Sequence, residues 1–291
     1  MGIASSPMTL AYQSRPELKN AFLVVAFEGW SDAGDASTGA VGYLKAKWQA
    51  QEFASVDPEE FFDFQAHRPH VRLNDSQIRE IVWPSTTFSY AHVPNSDRDA
   101  VLLQGIEPSM RWRTFTQHLL DVCDVTGTRI VVGLGALLAG RPHTRPIRVT
   151  GTATTPELAS RFGISTPRYE GPTGILGIIA DACRRDDLDC VTLWGWVPHY
   201  LQGSPSPSAS LAILQRLSAL LDISIDLSDL ENRSRSHESR VADAVRSDPD
   251  IAATVEELER QADAEDMTDI PSGDELAAEV ERFLRNQRGD R

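Results

Sequence analysis

Cysteine and lysine are both scarce in this chain. Among 291 residues there are three cysteines, Cys123, Cys183 and Cys190, and no two of them have the Cys-x-x-Cys spacing. A disulfide framework or a thiolate zinc site needs more thiols, or closer ones, so we expect buried, reduced cysteines. Lysine occurs only at positions 19, 45 and 47, and none of these lies in a Gly-x-x-x-x-Gly-Lys motif that binds nucleotide phosphates.

Positive charge of any kind is in short supply. The chain has 28 basic against 42 acidic residues, which gives a formal charge of -14. Nucleic acids and anionic membrane surfaces are bound by clustered Lys and Arg, so we expect neither as a partner. About half of the imbalance lies in residues 233–291, which carry 16 acidic and 9 basic side chains.

Long hydrophobic runs are missing as well, since none reaches the roughly 18 residues of a membrane span. The N-terminus lacks the charged stretch followed by an apolar stretch that is typical of a secretion signal. These absences predict a cytoplasmic protein. Hydrophobic residues still make up 41% of the chain, which is enough for a substantial core and excludes wholesale disorder.

What the sequence does contain is an alternation of apolar runs and amphipathic segments. The runs are typical of strands buried on both faces of a parallel sheet: Ala21–Glu28, Asp99–Gln104, Arg129–Leu134 and Asp189–Trp194. The amphipathic segments have helical periodicity: Asp35–Trp48, Ser109–Val125, Thr173–Arg185 and Ser206–Leu221. The alternation predicts an α/β layered domain with a mostly parallel central sheet.

Two regions depart from this alternation. Residues 61–93 contain short alternating stretches broken by prolines, which indicates an antiparallel excursion at one sheet edge. After Leu230 the composition becomes acidic, yet apolar spacing still favours helices, at Val255 and Leu258 and later at Leu276, Val280, Phe283 and Leu284. We therefore divide the chain into an α/β domain over residues 1–230 and an acidic helical appendage over residues 231–291.

Polar and aromatic residues follow the four predicted strands, where open parallel sheets bind ligands. We predict a cleft there, with Glu28, Asp32, Glu107 and His199 as acid-base groups and Trp30, Trp194 and Trp196 as walls. Each strand is also closed by a glycine within a residue or two, which we expect to serve tight turns and close backbone approach. In the alternative interpretation Asp32 or Asp35 caps the following helix and the tryptophans simply pack.

A weaker candidate is an anion site. Arg141, Arg145 and Arg148 lie close together in an otherwise acidic chain, and such a set can hold a phosphate or a carboxylate. The alternative is that these arginines pair with acidic groups across a subunit contact. His67 and His70 have a His-x-x-His spacing, but Pro69 between them interrupts any helix, so we predict no metal site.

Motifs for nucleophilic or cofactor chemistry are missing. The sequence has no Gly-x-Ser-x-Gly elbow, and the spacing of Gly133, Gly135 and Gly140 does not match the dinucleotide fingerprint. We therefore assign no catalytic residue and expect no cofactor.

Five segments, in this order, resemble the proteasome assembly chaperone 2 family in its actinobacterial branch: Phe27–Asp35, Leu103–Pro108, Val132–Ala136, Gly171–Ile175 and Leu193–Tyr200. The resemblance covers about Leu18 to Leu221. It implies a three-layer α/β/α domain, similar to the nucleoside phosphorylase and peptidyl-hydrolase folds, that commonly forms homo-oligomers, and we take a trimer as the working subunit number. For eukaryotic and archaeal relatives it implies chaperoning of proteasome assembly, and for bacterial members no settled activity.

One departure from the family pattern concerns the C-terminus. Family members that dock on the proteasome core often end in a hydrophobic-tyrosine-any-residue tail, whereas this chain ends Arg288–Arg291. We therefore expect any proteasome contact to use the acidic region after Leu230.

Two functional hypotheses remain. The first is a non-enzymatic, homo-oligomeric protein with a protein-interaction or assembly-chaperone-like role and protein clients. The alternative is a phosphorylase- or hydrolase-like enzyme that uses the cleft at the strand ends. An ATP-dependent ligase is less favoured because the sequence shows no phosphate-binding lysine or glycine loop.

Overall fold

A mixed sheet runs through the centre of the molecule. The structure is a computed structural model that describes residues 9–74, 77–164 and 170–268. Within these residues the strands are β1 (Leu10–Tyr12), β2 (Phe22–Glu28), β3 (Gln51–Val56), β4 (His70–Leu73), β5 (Arg79–Val82), β6 (Thr86–His92), β7 (Asp99–Ile106), β8 (Ile130–Ala139), β9 (Val149–Ala153) and β10 (Asp189–Pro198). The main sheet has the order β1-β3-β6-β7-β2-β8-β10-β9.

The centre of this sheet is parallel and its edges are antiparallel. β7, β2, β8 and β10 pair in parallel. β6, β3 and β1 add to one edge and β9 to the other, all in antiparallel register. The four strands expected from the sequence are the four parallel ones, so that prediction is confirmed.

Helices cover both faces of the sheet. They are α1 (Ala36–Lys47), α2 (Trp112–Thr126), α3 (Pro156–Phe162), α4 (Ile175–Arg185), α5 (Pro207–Leu221), α6 (Ser228–Ser247) and α7 (Pro249–Thr268). Alternate residues of β2 take part in two separate apolar clusters: Phe22 and Val24 pack with α1 and α5, and Leu23 and Val25 pack with α2 and α4. Burial on both faces explains why this strand is a continuous hydrophobic run and confirms the three-layer α/β/α architecture.

Glycines expected to close the strands lie mostly inside them, which corrects the expectation of tight turns there. Gly105, Gly135 and Gly195 are internal residues of β7, β8 and β10. A Cβ on Gly135 would lie 2.6 Å from the Trp194 ring, and one on Gly195 would lie 2.8 Å from Ile213. These glycines therefore serve close packing, whereas Gly29, with φ of 124°, does turn the chain after β2.

Residues 61–93 form two different structures. β6 joins the main sheet in antiparallel register, as expected for an edge excursion. Among the described residues, β4 and β5 instead pair only with each other and form a separate two-stranded hairpin. The predicted helix start at Ser109 is also shifted, because the backbone amides of Ser109 and Met110 donate to the Phe61 carbonyl and α2 begins at Trp112.

The acidic region contains two long helices in its described part. Leu230, at the start of α6, belongs to the apolar cluster of α1 and α5, and Val255 and Leu258 of α7 are buried. The helices predicted around residues 276–284 lie outside the described residues, and the boundary at residue 230 stays a prediction. No helix in the described part of the chain is long and apolar enough to cross a membrane.

Candidate functional site

The loop after β2 brings the strand ends and two helix N-termini together. The amide of Ala136 in β8 donates to the carbonyl of Ser31 over 2.7 Å, and Asp32 forms an isolated parallel bridge with Ala136. Residues 29–35 therefore lie along the end of β8 before the chain enters α1. In a parallel sheet this is the edge at which loops and helix N-termini meet.

Asp32 is buried and is bonded to the first turn of α1. Its Oδ1 accepts from the amide and hydroxyl of Ser37, over 2.8 and 2.5 Å, and from the amide of Thr38 over 3.2 Å. The Thr38 hydroxyl donates to Oδ2. Because a carboxylate that satisfies amides of a first helical turn acts as an N-terminal cap, Asp32 has the structural role that the alternative interpretation assigned to it.

Glu107 has a similar relationship to α4. It follows β7, and its Oε1 accepts from the amide of Ile175, the first residue of α4, over 2.8 Å. The backbone amide of Glu107 donates to the Glu28 carbonyl over 2.9 Å. The carboxylate thus ties the end of one parallel strand to a helix that starts 68 residues later and complements the positive end of that helix.

The surroundings of Glu28 shift the pKa of its carboxyl. Partial burial raises the pKa of its carboxyl, and the neighbouring Asp32 and Asp35 raise it further, while His67 acts in the opposite direction. Glu28 ends β2, so its side chain lies where the predicted cleft begins.

Tryptophans line this edge in three different environments. Trp30 is 68% exposed and lies over Gly174. Trp194 packs on Gly135, and the Trp196 Nε1 donates to the Thr150 hydroxyl over 3.1 Å. The three rings lie along one cavity, and their role as walls of a binding site stays a prediction.

A groove of about 1210 Å³ opens between these elements. Its lining consists of residues 29–35, the end of β8 at residues 136–138, the outer residues of α4, and a row of side chains on β9 and β10 that includes Thr150, Thr152, Thr192, Trp194 and Trp196. We refer to this surface as the groove. The predicted residues that line it are Asp32 and the three tryptophans, Trp30, Trp194 and Trp196. The predicted residues Glu28, Glu107 and His199 lie outside the described lining.

His199 is set apart from the carboxylates. It lies in a 3-10 turn after β10, where its Nδ1 is 3.3 Å from the Ala139 carbonyl and its ring packs edge-on against Tyr200. An acid-base pair between His199 and Glu28 or Asp32 is therefore not assembled by the described residues.

The predicted arginine cluster is divided among different partners. Arg145 forms ion pairs with Asp263 and Glu259 of α7, over 2.8 and 3.5 Å. The Arg148 guanidinium lies 5.0 Å from the Trp196 ring centroid. The alternative interpretation was that the arginines pair with acidic groups across a subunit contact, whereas Arg145 pairs with acidic groups of its own chain. Binding of an external anion stays a prediction.

Several groove residues were not predicted from the sequence. Thr150 and Thr152 lie on β9, and Thr152 and Thr192 share a hydrogen bond of 2.6 Å. The signal for them was the alternation of small and polar residues over Val149–Ala153, which resembles a half-exposed edge strand. Leu137 and Leu138 were missed because β8 runs five residues beyond its predicted end at Leu134.

A second cavity, of about 750 Å³, lies between α6 and the segment that follows β10. Its lining combines Tyr200, Val241 and Ile251 with the basic side chains of Arg233 and Arg240. Across the described residues, no group of three or more His, Cys, Asp or Glu has a geometry that could hold a metal ion.

Known proteins are similar to this chain both in fold and in amino-acid sequence. A model of the PAC2 family matches residues 26–245. A crystal structure of a PAC2 family protein from Streptomyces avermitilis is similar with a TM-score of 0.76 and 44% identity, over 81% of this chain and 99% of that one. A proteasome-assembly chaperone homologue from Mycobacterium tuberculosis is similar with a TM-score of 0.74 and 44% identity, over 80% and 99%.

A more distant structure shares the fold. An archaeal proteasome activator from Pyrococcus furiosus is similar with a TM-score of 0.65 at 17% identity, over 81% of this chain and 98% of that one. No curated protein matches the chain.

Proposed function

Because the chain belongs to the PAC2 family, we propose that it is a non-enzymatic, homo-oligomeric protein with an assembly-chaperone-like role. One observation carries the proposal: the strand-end carboxylates Asp32 and Glu107 are bonded to helix ends, while large apolar side chains are exposed nearby. Carboxylates bound in this way are poorly placed to act on a substrate. The role would be carried out in the cytoplasm, as expected from the sequence.

The exposed apolar residues form two groups. Trp30, Leu137 and Leu138 surround the groove, and Val71, Leu73 and Ile81 lie on the β4–β5 hairpin. Scattered apolar residues are normal on a protein surface, but grouped ones are typical of protein-protein contacts. Both groups therefore support a protein-interaction function.

For the clients we propose subunits of a proteasome core, since a relative at 44% identity is described as a proteasome-assembly chaperone homologue. The contact would use the acidic helices α6 and α7. Exposed carboxylates such as Asp250 and Glu256 project from α7, and a basic client surface would complement them. This assignment follows the expectation that the region after Leu230 makes any such contact.

Reconstitution of core assembly tests the proposal. Purified α- and β-type proteasome subunits of the source organism are mixed with and without the full chain, and the formation of core particles is followed on native gels. We expect faster assembly and a transient complex that contains the chain. An unchanged assembly rate together with no complex would contradict the chaperone role.

A charge-reversal pair locates the contact. Glu256→Lys, on α7, should weaken the client complex, while Glu157→Lys, on the first turn of α3, makes the same charge change elsewhere and should not. Equal effects of the two substitutions would indicate a general charge effect and would exclude α7 as the client surface.

The second candidate is a hydrolase- or phosphorylase-like enzyme, and the raised pKa of Glu28 is the observation that favours it. Carboxyls with raised pKa values often act as general acids in clefts. A thermal-shift screen over nucleosides, nucleotides and amino acids tests this candidate, because a ligand that binds only the folded state raises the melting temperature. A shift that Glu28→Gln abolishes would support the enzyme, and a uniformly flat screen would count against it.

A further inference from the structure

The β4–β5 hairpin has one apolar face, and the described residues leave that face exposed. In its register Val71 lies opposite Ile81, and Leu73 lies opposite Arg79, so these side chains share a face. Val71, Leu73 and Ile81 are 52 to 54% exposed. The other face carries His70, Val82 and the Arg72–Glu80 ion pair at 3.5 Å, so it is the more polar of the two. This alternation is typical of a strand pair that is buried on one side.

The described part of the chain does not bury this face. Neither strand pairs with the main sheet. Trp83, next to the hairpin, does pack on Phe64 with ring centroids 5.0 Å apart, which anchors only the base of the hairpin. An isolated two-stranded hairpin is marginally stable in water, so an amphipathic one gains stability when its apolar face is covered. A second molecule can provide that cover.

The groove has complementary properties. Its rim presents Trp30, Leu137 and Leu138, which are the exposed large apolar residues near the strand ends. Its volume of about 1210 Å³ exceeds the roughly 300–1,000 Å³ of typical small-molecule sites. A groove of that volume is large enough to hold a polypeptide segment.

Charge favours the same pairing. Arg79 lies on the apolar face of the hairpin and forms no ion pair with the described residues. The groove carries the exposed carboxylate of Asp35, and Glu28 ends the strand beside it. A hairpin inserted apolar face first would bring the guanidinium toward these carboxylates, and the proximity would oppose the raised pKa of Glu28.

We propose that the β4–β5 hairpin of one copy of this chain docks in the groove of the next copy. The inference rests on the homo-oligomeric part of the proposed function and names its interface. The two surfaces differ, so the contact is head-to-tail, and it closes into a ring when the rotation between successive copies completes a circle. In such a ring every groove receives residues of the neighbouring copy, and the acidic helices remain available for clients.

Sedimentation velocity on single substitutions tests the contact. Ile81→Asp places a carboxylate on the apolar face, and Val82→Asp places one on the opposite face of the same strand. We expect the wild-type chain and Val82→Asp to form the same ring, with a mass of at least three times 32.1 kDa, and Ile81→Asp to sediment as a monomer. A monomeric wild-type chain, or a ring unaffected by Ile81→Asp, would overturn the proposal.

Mixing two defective variants tests the head-to-tail geometry. Leu138→Asp damages the groove and leaves the hairpin intact, and Trp30→Ala serves the same purpose if Leu138→Asp fails to fold as judged by circular dichroism. Alone, each groove variant should be monomeric. Mixed with Ile81→Asp, it should form a 1:1 heterodimer through the one remaining intact interface. Monomers in the mixture would exclude this geometry, and a hairpin-to-hairpin dimer that tolerates Leu138→Asp would replace it.

These measurements use the isolated chain and no client. Loss of the ring with normal proteasome assembly would reject the interface alone, and an intact ring without any effect on assembly would reject the client assignment alone.

Discussion

Arg145 donates two parallel hydrogen bonds to Asp263, from Nε to Oδ1 and from Nη2 to Oδ2, each 2.8 Å long. The two residues are 118 positions apart and join the loop after β8 to α7. The guanidinium lowers the pKa of the Asp263 carboxyl. Some of the acidic side chains of the C-terminal region therefore form ion pairs within the chain. They hold α7 against Arg145, a residue that the sequence suggested as part of an anion site.

Removal of this pair should loosen α7. Arg145→Ala eliminates the bonds to Asp263 and the contact with Glu259, and the remaining apolar contacts of Val255 and Leu258 hold the helix less firmly. We expect faster amide hydrogen exchange across residues 249–268 with little change in the central strands. Added salt should produce a weaker version of the same effect in the wild-type chain, because the pair is partly exposed.

The matched control is Arg260→Ala. Arg260 also pairs with a carboxylate, but its partner Glu257 lies one turn away on the same helix. If exchange in α7 rises equally in both variants, the bridge to the loop is not what holds the helix in place.

Asp32→Asn should destabilise the fold by about 1–2 kcal/mol, because the amide group cannot accept from all four donors of Ser37 and Thr38. Asp35→Asn is the matched substitution. Asp35 makes no side-chain cap and has φ of 47°, which asparagine tolerates. We expect a change within about 0.5 kcal/mol there. Urea unfolding curves of both variants measure the difference, and equal midpoints would refute the capping role of Asp32.

Gly135→Ala should displace Trp194, because the new methyl group would overlap the indole ring, whose nearest atom is 2.6 Å from the Cβ position. Overpacking of this kind costs about 1–3 kcal/mol. Tryptophan fluorescence should shift as Trp194 moves toward the groove. Gly140→Ala is the control, since its Cβ would meet Leu258 at an ordinary 3.7 Å. Unchanged fluorescence in Gly135→Ala would show that the ring does not pack on Gly135.

Stability should fall as the pH drops below about 6.5. Burial lowers the pKa of His118, His143 and His237. Each histidine therefore binds its proton less readily in the folded chain than in the unfolded one. The stability that comes from keeping these rings neutral is present above the unfolded pKa and is lost as the pH falls toward the folded values.

His143 supplies a specific mechanism for this dependence. Its Nδ1 lies 2.8 Å from the Tyr200 hydroxyl, whose oxygen also accepts from the His143 amide. Burial raises the pKa of Tyr200 to about 12, so the hydroxyl keeps its proton and can donate it to a neutral ring. Glu259, Glu238 and His237 are the other titratable groups that act on this ring. Protonation turns Nδ1 from an acceptor into a donor, so the Tyr200 hydroxyl can no longer donate its proton to the ring.

Melting temperatures at pH 7.5, 6.5 and 5.5 measure the effect. His143→Gln keeps an acceptor for the Tyr200 hydroxyl and should flatten the decline at low pH, whereas His199→Gln, at an exposed ring, should leave it unchanged. A decline of the same steepness in His143→Gln would assign the pH dependence to other groups.

The central strands could be predicted because each is hydrophobic on both faces. Leu23 and Val24 are neighbours that pack into opposite layers, so the sequence itself shows that the strand has no solvent side. β9 was missed because its residues Val149–Ala153 are small and partly exposed, and a short edge strand is specified mainly by its pairing with β10.

The sequence indicated where the candidate site lies, but it did not indicate what each of its residues does. The positions of Glu28, Asp32 and Glu107 after strands indicated a common edge of the sheet. Their roles depended on donors elsewhere in the chain, such as the amide of Ile175, which lies 68 residues from Glu107. Residue types alone do not distinguish a carboxylate that binds a substrate from one that caps a helix.

By itself, the sequence determined the parallel core of the sheet and the helices that cover it, because hydrophobic periodicity expresses burial directly. The family was indicated separately, by the resemblance of five ordered segments. Only the tertiary structure decided that Arg145 binds α7, that the strand glycines make room for tryptophan and isoleucine side chains, and that the described part of the chain leaves one face of the β4–β5 hairpin exposed. Each of these depends on how segments far apart in the sequence are arranged in space, and local hydrophobic periodicity does not show that arrangement.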